Sequence, residues 1–248
     1  MFIIKKNIVA ITGSNNANSK TKKVTDKILD ELIKLNSGYE YKNILLGDFD
    51  IKYCIGCQKC FKNGFCEMDN FDNFTLIRED MKNADIIIFT SPVYVDSVPG
   101  IMKTFLDRLS YQCHILSLSG KLGFTLAVGD QGGTEKVNEH LDSMLKHLGV
   151  KVLSSYSFLN INDSIHEKTS LIAKDILKKT QENYGYSNYY LERLFKAYKV
   201  EYISEAYKNK ISKHNEIKFW NQNWIKKTDS FQEFAIKKRS IDHDFTEK

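Results

Sequence analysis

Three short, unbroken apolar runs punctuate the first 130 residues and end in Gly, Ser or Pro: Ile8-Val9-Ala10-Ile11, Ile86-Ile87-Ile88-Phe89 and Phe124-Thr125-Leu126-Ala127-Val128. A strand that is apolar at every position must be covered on both faces, and βαβ crossovers do this by placing helices on either side of a parallel sheet. The intervening stretches have the matching period. Val24, Ile28, Leu29, Leu32 and Leu35 recur at helical spacing between Ser19 and Leu35, and similar patterns predict helices over Phe74–Asn83, from Gly100 to about Gln112, and from Gly133 to Leu148. Ile44-Leu45-Leu46 and Val150 to Phe158 complete a set of five predicted strands. The expectation is an α/β, doubly wound, five-stranded parallel sheet.

Beyond Asp163 the strand pattern stops. Leu191, Leu194, Phe195, Tyr198 and Tyr202 keep helical intervals, and Trp220, Trp224, Phe231 and Phe234 make the segment too aromatic for disorder. Residues 1–162 therefore read as one domain and 163–248 as a helical extension. The net charge of +5 comes from residues after Ser170, where Lys and Glu mix along helical faces, a pattern of solvated helices rather than of nucleic-acid binding. No stretch is long and apolar enough to span a membrane, and Met1 to Lys6 lacks a signal-peptide pattern, so a cytoplasmic location is expected.

In a doubly wound sheet the ligand sits beyond the carboxyl ends of the strands, where the strand order reverses. Three loops should meet there. The first, Gly13-Ser14-Asn15-Asn16-Ala17-Asn18-Ser19-Lys20-Thr21, enters a helix N-terminus, whose free N–H groups and dipole suit a phosphate and equally suit a simple turn and cap. It lacks Gly-Lys-Ser/Thr and is no P-loop. The second, Ser91-Pro92-Val93-Tyr94-Val95-Asp96-Ser97-Val98-Pro99-Gly100, holds both prolines of the chain, which rigidify a surface suited to a planar ring. The third, Gly129-Asp130-Gln131-Gly132-Gly133, lets backbone approach a ligand closely.

Taken together, Gly13-Ser14 with Ser19 and Thr21, Ser91-Pro92-Val93-Tyr94, Pro99-Gly100, Lys103 and Asp107-Arg108 resemble the NADPH-dependent FMN reductase family over roughly residues 6–160. The resemblance implies a flavodoxin-like fold binding FMN. Its phosphate would lie on Ser14, Ser19, Lys20 and Thr21, and its ring against Pro92, Val93, Tyr94 and Val95, with Gly13 and Ser91 as further candidates in the same loops. Gly129, Asp130, Gln131, Gly132 and Gly133 would border the far side of the ring. One departure is Asn15-Asn16-Ala17, where relatives often carry Pro-Arg-Lys; Lys20 is the candidate to restore the charge. The implied activity is oxidoreduction with NAD(P)H as co-substrate and a small-molecule or ferredoxin-like partner, in a homodimer or homotetramer. The flavin carries such chemistry, so no side chain is required as nucleophile or base.

Four of the five cysteines crowd into one segment, Cys54, Cys57, Cys60 and Cys66, with spacing C-x2-C-x2-C-x5-C. Such clustering points to metal or redox chemistry rather than to a disulfide framework. The spacing resembles the compact motif of iron–sulfur flavoproteins, which implies a [4Fe-4S] cluster; zinc, or a metal-free lid and subunit contact, remain open alternatives. Cys113 reads as an inert core thiol and His114 as a helix-end cation. The rival from another class is a non-catalytic flavin-fold module for redox sensing or nucleic-acid association.

Overall fold

In a computed structural model that describes residues 5–159, 165–204 and 214–244, five parallel strands form one sheet in the order β2-β1-β3-β4-β5. They are β1 (Lys6–Thr12), β2 (Tyr39–Leu45), β3 (Ile86–Pro92), β4 (Leu122–Gly129) and β5 (Lys151–Leu159). This is the flavodoxin-like order, and it reverses between β1 and β3. The two-residue period of a strand sorts the apolar runs between two cores. Val9, Ile11, Ile87 and Phe89 face α3 (Phe74–Asn83), α4 (Gly100–Arg108) and α6 (Thr134–His147), whereas Ile8, Ala10, Ile86 and Ile88 face α1 (Lys20–Leu35).

Two elements differ from the sequence expectation. The second strand begins at Tyr39, five residues before its apolar run, because it is an edge strand whose Glu40 and Lys42 face solvent. The helix predicted from Gly100 to Gln112 is broken at Leu109, whose N–H turns back onto Leu106 O at 3.1 Å, so that α5 (Ser110–His114) follows as a separate turn.

The helical extension has two parts. Its first helix, α7 (Ile165–Glu182), lies beside α1 and buries Ala173 and Ile176 in the same core as Ile28, Leu29 and Leu32, so it covers the sheet. The rest, α8 (Tyr189–Ile203), α9 (Asn215–Trp220), α10 (Asn223–Lys226) and α11 (Phe231–Asp244), builds a separate aromatic core. There Trp220 stacks on Tyr202 and Phe234 at centroid distances of 5.8 Å and donates Nε1–H to His114 O at 2.9 Å. The tail aromatics therefore pack within their own chain. The boundary expected at 162/163 lies outside the described residues. Among the described residues no helix is long and apolar enough to cross a membrane.

Candidate active site

The loops following β1, β3 and β4 converge at the reversal of strand order. Gly13 is fixed by its N–H to Thr90 O at 2.8 Å, and a Cβ there would lie 2.8 Å from Met102 Cβ, so glycine is required for the loop to sit on α4. Ser14 Oγ accepts the Asn16 N–H at 3.1 Å, and Ser19 caps α1 by accepting the Lys22 N–H at 3.2 Å. Behind them a buried row of polar side chains runs from Thr25 to Thr90 (3.2 Å), Thr12 (3.0 Å) and Asn43 (2.8 Å). This row lets polar groups reach the top of the sheet without leaving unpaired oxygens in the core. Its members lie on four different elements, so no local motif announces it.

A cavity of about 250 Å³ opens among Ser14, Asn16, Ser19, Lys20, Thr21, Pro92, Val93, Tyr94, Val128, Gly129 and Asp130. One end offers hydroxyls, the Lys20 ammonium and the N-terminus of α1, an anion-binding combination. The other is walled by Pro92, Val93 and Val128. A more open cavity of about 530 Å³ adjoins it, lined by Val93, Val95, Asp96, Asp130, Gln131, Gly132 and Gly133. Gly13 and Ser91 stand behind the walls rather than lining them. Ser91 is buried and donates Oγ–H to Pro92 O at 2.9 Å. Asn16, Val128 and Asp96 are lining residues that the sequence reading did not single out.

The second loop is held as a tight reversal: Tyr94 N–H and Ser97 O lie 2.8 Å apart, and Ser97 N–H and Tyr94 O 3.0 Å. Val95 and Asp96 both have positive φ, 50° and 57°, which is uncommon for Asp and an outlier for a β-branched residue. Gly133 packs on this turn, where a Cβ would meet Asp96 Oδ1 at 2.6 Å. Two ion pairs tie the third loop and α6 to their neighbours, Lys20–Asp130 at 2.7 Å and Lys136–Asp96 at 2.6 Å.

The four clustered cysteines are all free and line a separate cavity, of about 220 Å³, together with Ile55, Gly56, Gln58, Phe61, Met68, Asp107, Arg108 and Ser110. Gly56, Gln58 and Gly64 take left-handed backbone (φ 65°, 57° and 84°), curling the segment around the short helix α2 (Lys59–Asn63). Burial pushes the Cys60 thiol up to about 11, and Cys66, then Cys54 and Cys57, add to the rise. Ionising one thiol thus opposes ionising the next, a conflict that bound cations relieve. Among the described residues no three His, Cys, Asp or Glu side chains are gathered closely enough to hold a single metal ion. A four-iron cluster distributes its thiolates over separate iron atoms, so the donor set suits it better than a lone ion. Cys113 is half-buried, with its thiol pushed up to about 12 by burial, and lies outside this cavity. His114 faces Tyr202 Oη at 2.8 Å and the buried Glu216 carboxylate at 3.3 Å.

A flavodoxin-like sheet with a phosphate-suited helix N-terminus and a rigid apolar loop at its switch point defines a flavin-binding α/β protein. Residues 6–163 match the NADPH-dependent FMN reductase family, and the chain belongs to it. An iron–sulfur flavoprotein of Archaeoglobus fulgidus is 34% identical over 144 residues, covering 57% of this chain and 63% of that protein, so the chain spans just under two thirds of its length. An iron–sulfur flavoprotein of Clostridioides difficile is 27% identical over 181 residues, covering 71% of this chain and 80% of that one. Among solved structures, an NADH:FMN oxidoreductase (EMOB) in its apo form is similar in fold, with a TM-score of 0.54 and 23% identity over 71% of this chain and 90% of that one.

Proposed function

We propose that this protein works as an electron-transferring iron–sulfur flavoprotein. FMN would occupy the cavity between the three loops and a [4Fe-4S] cluster would be held by Cys54, Cys57, Cys60 and Cys66. NAD(P)H or a ferredoxin-like protein would exchange electrons with the pair. The observation that carries this reading is the relation of the two cavities through α4. That helix starts where the flavin loop ends, at Gly100, and finishes at Arg108, which lines the cysteine cavity, roughly 12 Å further along its axis. A bound flavin supplies two-electron chemistry and a bound cluster one-electron chemistry, so neighbouring sites can convert one into the other.

The chain's own contribution is positioning. Ser14, Ser19, Thr21 and Lys20 would hold the phosphate, Val93 and Val128 would exclude water from one face of the ring, and exposed Tyr94 and Val95 would frame the side open to a co-substrate. Tyr53, Ile55 and Phe65 stand exposed around the cysteines, which supports a homodimer or homotetramer closing over this surface.

Anaerobic purification with flavin, iron and acid-labile sulfide assays tests the reading. FMN with about four irons and four sulfides per chain is the expected result. FMN without iron would reduce the protein to a flavin reductase whose cysteine segment serves as a lid. Absence of flavin would overturn the reading altogether.

A further inference from the structure

Arg108 is the last residue of α4 and its side chain is wholly buried. Nη1 donates to Lys52 O at 2.8 Å and pairs with Asp72; Nη2 pairs with Asp69 at 2.6 Å; the guanidinium lies 4.7 Å from the Phe74 ring centroid. These partners are not scattered. Lys52 is two residues before Cys54, and Asp69 and Asp72 are three and six residues after Cys66. One guanidinium thus ties both ends of the cysteine segment to the helix that leads back to the flavin loop. Arg78 holds Asp69 from the other side at 2.7 Å, and Asp72 also accepts the Lys52 N–H at 2.9 Å.

The guanidinium is more than a brace. Arg108 is among the residues that border the cavity shared by the four cysteines. The other charged residue of that lining, Asp107, is engaged by Lys103 at 2.5 Å. Asp72 and Asp69 offset the burial of the Arg108 charge. Its Nε–H is buried and has no partner among the described residues. A charged donor left unpaired in a buried site is costly, and the residue that carries it borders the cavity of the four cysteines.

Resting on the reading of the four cysteines as cluster ligands, we infer that Arg108 is the positioning residue of that site. It clamps both ends of the cysteine segment and directs Nε–H to a sulfur of the site. A hydrogen bond to a cluster sulfur favours the reduced, more negative form, so Arg108 should raise the reduction potential.

The test compares anaerobically purified wild type with Arg108→Lys and Arg108→Gln, measuring FMN, iron and sulfide per chain, iron loss to a chelator, and the midpoint potential by EPR-monitored titration. Arg108→Gln is expected to keep FMN, to move the potential to a lower value, and to bind iron about 10- to 100-fold more weakly. Arg108→Lys, which keeps the charge without the fork, is expected to lie between. If stranded Asp72 prevents folding of Arg108→Gln, the pair Arg108→Met with Asp72→Asn removes that carboxylate, leaves Asp69 on Arg78, and should show the same loss of iron. Unchanged iron retention and potential in a folded, cluster-bearing variant would overturn the role of Arg108 alone. A wild-type protein without iron would overturn the cluster reading and this inference with it.

Discussion

Lys20 Nζ and Asp130 Oδ1 meet at 2.7 Å, although 110 residues separate them, and their ion pair bridges the first and third loops across the mouth of the cavity proposed for FMN. Both side chains are largely exposed, so the pair itself adds little stability. Its meaning is local: the cation suited to a phosphate is held by a carboxylate that a phosphate would replace. Lys20→Ala should raise the FMN dissociation constant by roughly 10-fold through loss of a charge-assisted contact, whereas Asp130→Asn should leave it equal or lower. Flavin fluorescence quenching reads both. Weaker binding in Asp130→Asn would show that the carboxylate serves the flavin directly.

Val95 occupies the left-handed region at φ 50° and is fully exposed, so no packing compensates its strain. Asn tolerates this region better, and Val95→Asn should stabilise the protein by about 1 kcal/mol. A rise in melting temperature of roughly 2–4 °C in flavin-free protein is the expected reading.

Lys121 is buried at the opposite end of the sheet, where Nζ donates to Lys82 O at 2.6 Å and Ala84 O at 2.5 Å. Burial first, and Arg239 next, lower its pKa from 10.5 to about 8, against the pull of Asp242 and Asp85. Between those values the unfolded chain holds a proton that the folded protein has released, so stability should rise with pH by roughly 3 kcal/mol across the window. In urea melts from pH 7.5 to 10.5, wild type should gain stability relative to Lys121→Met as pH rises; the difference isolates Lys121 from the Cys60 and Cys113 thiols, whose raised pKa values lower stability over the upper part of the same range in both proteins.

Trp220 is fully buried at the centre of the extension's aromatic core. Trp220→Ala should cost about 3–5 kcal/mol, seen as a lower urea midpoint. A loss within a few tenths of a kcal/mol would mean that this core contributes little to the folding unit.

The strands that sit inside the sheet are legible because burial on both faces leaves no polar position to interrupt Ile86-Ile87-Ile88-Phe89 or its counterpart in β1. Edge strand β2 is legible only at its apolar end, Ile44 and Leu45, since Glu40 and Lys42 before them face water. The flavin loops are legible for a related reason: Gly, Ser and Pro at strand ends have local conformational causes. Asp96 and Val128, by contrast, join the site only because neighbouring strands end at the same level.

The amino-acid sequence by itself determines the fold class, the three loops and the clustering of the four cysteines, because each follows from period, turn chemistry or spacing within a few residues. Tertiary structure alone decides that α7 closes the sheet beside α1, that Trp220 packs within its own chain, and that Arg108 gathers Lys52, Asp69 and Asp72 around the cysteine cavity. The Arg108 contacts join residues 36 or more positions apart, with Asp72 the nearest in sequence. No local propensity encodes such a pairing; it exists only once the burial of two cores has set where each helix lies.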